Sequence, residues 1–193
     1  MLMSGLRSVV SAMADGGPSR KSAAPSGSNL EVDVVRHAEA WRPAGVTDAM
    51  LKRSARAAFA AAPPAPYGTY AVTIVLTDDE EMQELNRTWR GKDAPTNVLS
   101  FPLNDEVSEP GLLGDVVLAY ETTLKEARDG NLALRDHVTH LVVHGLLHLL
   151  GFDHTEDEEA ERMEDVERTA LASLGIADPY AEAGEALPAE VSP

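Results

Sequence analysis

The sequence predicts an α+β fold in which a small mixed β-sheet of about four strands packs against about five helices. Short β-branched segments and amphipathic segments are interspersed along the chain, without the regular alternation that a doubly wound parallel sheet requires. No internal repeat is present. With 193 residues, of which 44% are hydrophobic, the chain can bury one core without covalent cross-links.

Four segments have the composition and period of strands. Residues 30–34 alternate between apolar and acidic side chains, and residues 69–76 (TYAVTIVL) are strongly β-branched. Shorter strands are predicted at 97–101, before Pro102, and at 115–120 (DVVLAY), with a turn-rich connection over residues 103–113 between them.

Five segments have helical periodicity, and most carry an end signal. Thr47 is expected to cap the first helix, and Pro63 and Pro64 are expected to end it. Asp78 and Glu81 resemble a capping box at the start of the second helix. The apolar face of the second helix is predicted to comprise Met82, Leu85 and Trp89. Further helices are predicted at 122–128, at 134–150 before Gly151, and after a capping box formed by Thr155 and Glu158; the buried face of the last comprises Met163, Val166, Ala170, Leu171 and Leu174.

The two ends differ in composition from the middle of the chain. Residues 1–28 are rich in Ser, Ala, Gly and Pro and are predicted to be a disordered extension; scattered basic residues faintly suggest a transit peptide, but an untargeted tail is the preferred interpretation. Residues 29–177 are predicted to form a zinc-dependent hydrolase domain, and residues 178–193 a loose acidic tail. No apolar run reaches the roughly 18 residues of a membrane span.

Charge and cysteine content exclude several classes of site. The formal net charge is −16, and residues 155–193 contribute −10 of it through 12 acidic and 2 basic residues. Such a surface repels nucleic acid, so a polyanionic substrate would need a local basic patch, a metal or a partner. The chain has no cysteine, which excludes thiolate metal sites and cysteine nucleophiles and is compatible with a reducing compartment such as the cytoplasm.

Three histidines have the spacing of a catalytic zinc site. His144 and His148 are four residues apart on one predicted helix, so their rings share a face. Gly151 then breaks the helix, and His154 follows as a third nitrogen ligand. Three protein ligands with one open position are typical of catalytic rather than structural zinc, and the sequence therefore predicts one Zn²⁺ per chain.

The neighbouring residues leave alternatives open. His140 lies on the same face and could itself be a ligand, although a supporting or core role is the preferred interpretation. His137 and His37 are expected to be structural or exposed. Asp153 either accepts a proton from a ligating imidazole or caps the turn. Gly145 stands where helical zinc proteases carry a general-base glutamate, which argues against a protease; we expect the glycine to leave space beside the metal.

The run from His144 to His154 (HGLLHLLGFDH) resembles the signature of the YbeY family of bacterial rRNA-maturation endoribonucleases, with Phe152 in place of a frequent tyrosine. A second similar stretch spans residues 85–102 (LNRTWRGKDAPTNVLSFP), in which many relatives carry aspartate at the position of Asn97. A third is the short run Leu113–Val116 (LGDV). The resemblance covers roughly residues 30–175.

This resemblance implies an α+β fold with a zincin-like metal helix, the ligands His144, His148 and His154, and a functionally important arginine at Arg90. The implied activity is zinc-dependent cleavage of single-stranded RNA in 16S rRNA 3′-end maturation and ribosome quality control. The implied partners are rRNA and the small ribosomal subunit, a small-subunit ribosomal protein and the Era GTPase.

For such an activity, Arg90 is the predicted catalytic residue, because its planar guanidinium can stabilise charge that develops on phosphate oxygens. Arg87 and Lys92 would complete a local basic patch that binds substrate. No residue is identified as the general base, and either water or the RNA 2′-hydroxyl could attack. Two alternatives are a non-catalytic zinc-binding ribosome assembly factor and a zinc hydrolase of another substrate class.

Overall fold

The structure is a computed structural model that describes residues 27–181 except residues 105, 106, 108 and 155. Residues 1–26 of the predicted extension and residues 182–193 of the predicted tail lie outside the described residues. Within the described part, four strands and five α-helices confirm the predicted α+β class. None of the helices in this part has both the length and the apolar character that crossing a bilayer requires.

The sheet is mixed, and its one antiparallel strand lies at an edge. Its strand order is β1-β2-β4-β3, with β1, β2 and β4 parallel and β3 antiparallel to β4. β4 begins earlier than the predicted residue 115, because Leu112 already pairs with Ala71 of β2 before a register shift. The strand bounds are β1 Asn29–Arg36, β2 Thr69–Thr77, β3 Val98–Pro102 and β4 Leu112–Ala119.

The helices begin close to where their capping signals predict. The Thr47 hydroxyl accepts from Met50 N at 3.2 Å, and the Asp78 carboxylate accepts from Glu81 N at 3.0 Å. The predicted cap at Thr155 lies outside the described residues, and the last helix has Glu156 at its N-cap without a side-chain hydrogen bond. The bounds are α1 Asp48–Ala61, α2 Asp79–Arg90, α3 Tyr120–Asp129, α4 Leu134–Leu149 and α5 Asp157–Ser173, with a short 3₁₀ helix at Glu39–Trp41.

Helices cover both faces of the sheet, because side chains alternate along each strand. The larger core, on one face, packs α1, α4 and α5 together with side chains such as Ile74, Val116 and Leu118. The smaller core, on the other face, joins α2 to the sheet through Val75, Met82, Leu85, Leu99, Val117 and Ala119.

The predicted apolar face of α2 is wrong at Trp89. Met82 and Leu85 are buried as expected, but Trp89 is 60% exposed. Its ring meets Phe101 of β3 edge to face, with 6.0 Å between the ring centroids. The last turn of α2 extends past the small core, so helical periodicity alone overestimates the burial of this side chain.

Candidate metal centre

The predicted histidine triad is brought together by the C-terminal end of α4 and the turn that follows. His144 and His148 lie one helical turn apart, and the helix ends at Leu149. Gly151 adopts the left-handed conformation, with φ at +89°, which an L-residue with a side chain rarely adopts. The reversed chain brings His154 back, and one ring nitrogen from each histidine lies within 4.8 Å of the other two.

Hydrogen bonds at the far side of two rings orient the histidines for a metal. His144 Nδ1 lies 2.7 Å from a carboxylate oxygen of Glu167, and His148 Nδ1 lies 3.0 Å from the Phe152 carbonyl oxygen. Donation at Nδ1 leaves the Nε2 lone pair of a neutral imidazole free. The two Nε2 atoms face each other at 3.1 Å. Three imidazole nitrogens brought together in this way fit a metal ion, and the all-nitrogen donor set suits zinc.

The local environment disfavours the charged form of His148. Burial lowers the pKa of His148, and the neighbouring His144 and His154 rings lower that pKa further. A ligand must lose its proton before it binds a cation, so a lowered pKa extends metal binding to more acidic solutions.

Glu167 on α5 is the functional residue that the sequence analysis missed. Its carboxylate is 0% exposed and accepts hydrogen bonds from His144 Nδ1, from His140 Nε2 at 3.2 Å and from the Tyr180 hydroxyl. Burial alone would raise the pKa of Glu167, but the bonds from His140, His144 and Tyr180 hold it at about 2. The sequence did contain a signal for this residue. Glu167 follows Met163 by four positions, so an ionisable side chain falls on the predicted buried face of the last helix.

Residues just beyond the predicted domain boundary at residue 177 contribute to this arrangement. The Tyr180 hydroxyl donates to Glu167, and the Tyr180 ring lies 5.9 Å from that of His140. Asp178 lies 3.6 Å from the Arg168 guanidinium. Specific contacts with the domain therefore continue at least to Tyr180.

The structure also places the residues whose roles were left open around the triad. The Asp153 carboxylate accepts from the adjacent His154 N at 2.7 Å, which favours a role within the turn. His140 supports Glu167 and is not one of the three clustered histidines. His137 and Asn97 both bond to Glu126, each at 2.9 Å, and so tie α4 and the start of β3 to α3.

Gly145 faces the sheet, so the expectation that it leaves space beside the metal is wrong. A Cβ atom at this position would lie 2.6 Å from Val116 Cγ1 and 3.1 Å from Ser100 Oγ. The Ser100 hydroxyl instead donates to the Gly145 carbonyl at 2.9 Å. The glycine thus allows α4 to pack directly on β3 and β4, and a glutamate at this position would clash with the sheet.

Arg90 lies in a different cavity from the one beside the histidines. It is the last residue of α2, where Gly91 ends the helix with φ at +69°. The cavity at Arg90 has a volume of ≈ 320 Å³ and is also lined by Trp89, Ser100 and Asp115, among others. The histidine cavity, of ≈ 90 Å³, is lined by His144, His154, Ala160, Met163, Glu164, Glu167 and Tyr180.

The other two predicted substrate-binding residues differ in their surroundings. Arg87 is exposed and forms an ion pair with Glu84 at 2.5 Å, which offsets its charge. Lys92 is exposed, and its backbone N–H donates to Asn86 O at 3.3 Å. Of the predicted basic patch, Arg90 lines the ≈ 320 Å³ cavity, and Arg87 and Lys92 are not among the residues that line it.

The chain is similar to one named family over most of its length. The family model for endoribonuclease YbeY matches residues 44–175. A protein of Paramagnetospirillum magneticum named endoribonuclease YbeY is 52% identical over 160 residues, which cover 79% of this chain and 97% of that protein. A protein of Parvibaculum lavamentivorans with the same name is 47% identical over 180 residues, 86% of this chain and 95% of that protein.

Similarity to a solved structure is weaker. A Thermotoga maritima protein with a known solution structure aligns over 79% of this chain and all of its own, with a TM-score of 0.49 and 21% sequence identity. Sequence similarity therefore decides the assignment: the matched region includes the three clustered histidines, Glu167 and Arg90, and the chain belongs to the endoribonuclease YbeY family.

Proposed function

We propose that this protein is a zinc-dependent endoribonuclease that cleaves single-stranded RNA, in 16S rRNA 3′-end maturation and ribosome quality control. The observation that carries the proposal is the convergence of one ring nitrogen each from His144, His148 and His154 within 4.8 Å. The names of its relatives, endoribonuclease YbeY, support the reaction class.

The chemistry that a zinc ion supplies when bound is Lewis-acid polarisation of a phosphoryl oxygen or activation of water. His144, His148 and His154 would hold the ion, and Glu167 keeps the first of these rings oriented through its Nδ1 atom. Arg90 offers several N–H donors to phosphate oxygens, where negative charge increases as phosphorus becomes pentacoordinate.

Local charge indicates the side from which RNA approaches. The histidine cavity is lined on the α5 side by Glu164 and Glu167, and α5 begins with three consecutive acidic residues. Arg90 lines the other cavity together with β3 residues such as Ser100, and both Arg90 and Lys92 are exposed. A polyanion is repelled from the first side and attracted to the second, so we expect RNA to bind along β3.

The test is cleavage of an unstructured RNA by the purified protein. We expect cleavage to stop on chelation, to return on zinc addition, and to be lost in His148→Ala together with bound zinc. Arg90→Ala should retain zinc but lose cleavage, whereas Arg53→Ala, which removes an exposed arginine from α1, serves as the control. A zinc-loaded protein that never cleaves RNA would favour the non-catalytic assembly factor, and cleavage of another substrate class would favour the other hydrolase.

The remaining expectations belong to the same proposal. The partners would be rRNA within the small ribosomal subunit, a small-subunit ribosomal protein and the Era GTPase, and the location would be the cytoplasm. Co-purification of 30S particles with the tagged full-length protein would test the first of these.

A further inference from the structure

We propose that the cavity at the end of α2 is a binding site for one unpaired nucleotide of the RNA, with its base stacked on Trp89 and its phosphate at Arg90. The proposal rests on the proposed function, because it names a subsite for the same substrate. It is carried by the combination of an exposed aromatic ring, an adjacent guanidinium and a cavity between α2 and β3.

Trp89 has the exposure of a ligand-binding aromatic side chain. The residue is 60% exposed. The other tryptophan, Trp41, is in contrast fully buried and donates its indole N–H to Thr77 O at 2.8 Å. Phe101 supports the Trp89 ring at its edge, at 67° between the ring planes, and so limits its reorientation. A supported ring with exposed surface is how proteins stack unpaired bases without regard to their sequence.

The charges around this ring select a nucleotide over a simple apolar ligand. Arg90 follows Trp89 directly, lines the same cavity and forms no ion pair among the described residues. Asp115 also lines the cavity and is 6% exposed, and burial raises the pKa of its carboxyl while the neighbouring Thr73 hydroxyl opposes this rise. A positive rim suits phosphate, whereas an acceptor in the interior suits the polar edge of a base rather than a second anion.

The cavity lies next to the metal-binding helix. Ser100 is among its lining residues, and the Ser100 hydroxyl donates to the carbonyl of Gly145, the residue that follows His144. One residue of the edge strand β3 thus contacts both the cavity and α4. An RNA strand that places a base in the cavity would therefore run along this edge, next to the metal-binding helix.

Tryptophan emission provides a direct test. Because Trp41 is buried, quenching by a bound oligonucleotide reports on Trp89. We would titrate the zinc-loaded protein with a short single-stranded 2′-O-methyl RNA, verified as intact after the titration, and with the same sequence as a duplex. We expect the single strand to quench the emission and the duplex to leave it unchanged, because paired bases cannot stack on the ring.

Variants separate this site from the proposed function. Trp89→Ala should weaken binding of the single strand by roughly 5- to 150-fold, the range that one lost base stack gives. Trp89→Phe should retain most of the affinity, and Tyr67→Ala, which removes an exposed aromatic residue that does not line the cavity, should retain all of it. Equal binding by Trp89→Ala and the parent protein, or equal quenching by the duplex, would overturn the site even if the parent protein cleaves RNA. Quenching by the 2′-O-methyl strand, combined with no cleavage of unmodified single-stranded RNA by the same zinc-loaded protein, would instead reject the proposed function.

Discussion

Replacement of Glu167 by glutamine isolates the contribution of the missed carboxylate to metal binding. The two side chains have the same shape, so the core around α5 should be preserved. The ionised carboxylate accepts hydrogen bonds at both oxygens, from His144 at one and from His140 and Tyr180 at the other. Glutamine has a single acceptor oxygen and an amide NH₂ that can only donate.

The geometry allows the size of the effect to be worked out. If the amide oxygen faces His144, an NH₂ group replaces the oxygen that accepts from His140 and Tyr180, and both of those bonds are lost or reversed. If the NH₂ group faces His144, that ring must carry its proton on Nε2 and cannot bind a cation through that atom. Either arrangement also removes the full negative charge that makes the imidazole a stronger ligand. Loss of such a partner typically lowers metal affinity roughly 10- to 100-fold, or about 1.4–2.7 kcal/mol.

The assay is competition for zinc between the protein and a chromophoric chelator at neutral pH. The matched control is Glu161→Gln, which removes the same charge from an exposed position on the same helix. We expect weakened binding for the change at Glu167 alone. Zinc affinity within twofold of the parent protein would refute the reasoning, as would an equal loss in the control, which would indicate a general effect of charge.

Three further predictions concern stability, measured by urea denaturation of the metal-free protein. Gly145→Ala should lower the free energy of unfolding by about 1–3 kcal/mol, because its Cβ would lie 2.6 Å from Val116 Cγ1; unchanged stability would contradict the close packing of α4 on the sheet. Tyr180→Phe should lower it by about 1–3 kcal/mol, because Glu167 loses a buried donor, and no change would mean that the segment after α5 contributes nothing. The pKa of Glu167 lies at about 2, below its ordinary 4.5, so its ionised form stabilises the fold above pH 4.5, and this stabilisation is lost as the pH falls towards 2. Between pH 4.5 and pH 2, Glu167→Gln should therefore lose less free energy of unfolding than the parent protein, and an equal loss would contradict this assignment.

Much of the fold follows from local patterns. The strand at 69–76 and the caps at Thr47 and Asp78 were predictable because β-branched composition and capping hydrogen bonds depend on residues close in sequence. The early start of β4 and the exposure of Trp89 were not predictable, because they depend on pairing with β2 and on how far α2 extends past the sheet.

The sequence by itself determined the metal triad, since His144, His148 and His154 lie within a single helical turn and the glycine-containing reversal after it. Only the tertiary structure decided what surrounds that triad. Glu167 reaches His144 from another helix, and Gly145 meets the sheet through Ser100. The spacing of the ligands along one segment is a property of local backbone geometry. Glu167 and Ser100, in contrast, meet their partners only when segments distant in sequence pack together, and no local sequence pattern specifies that packing.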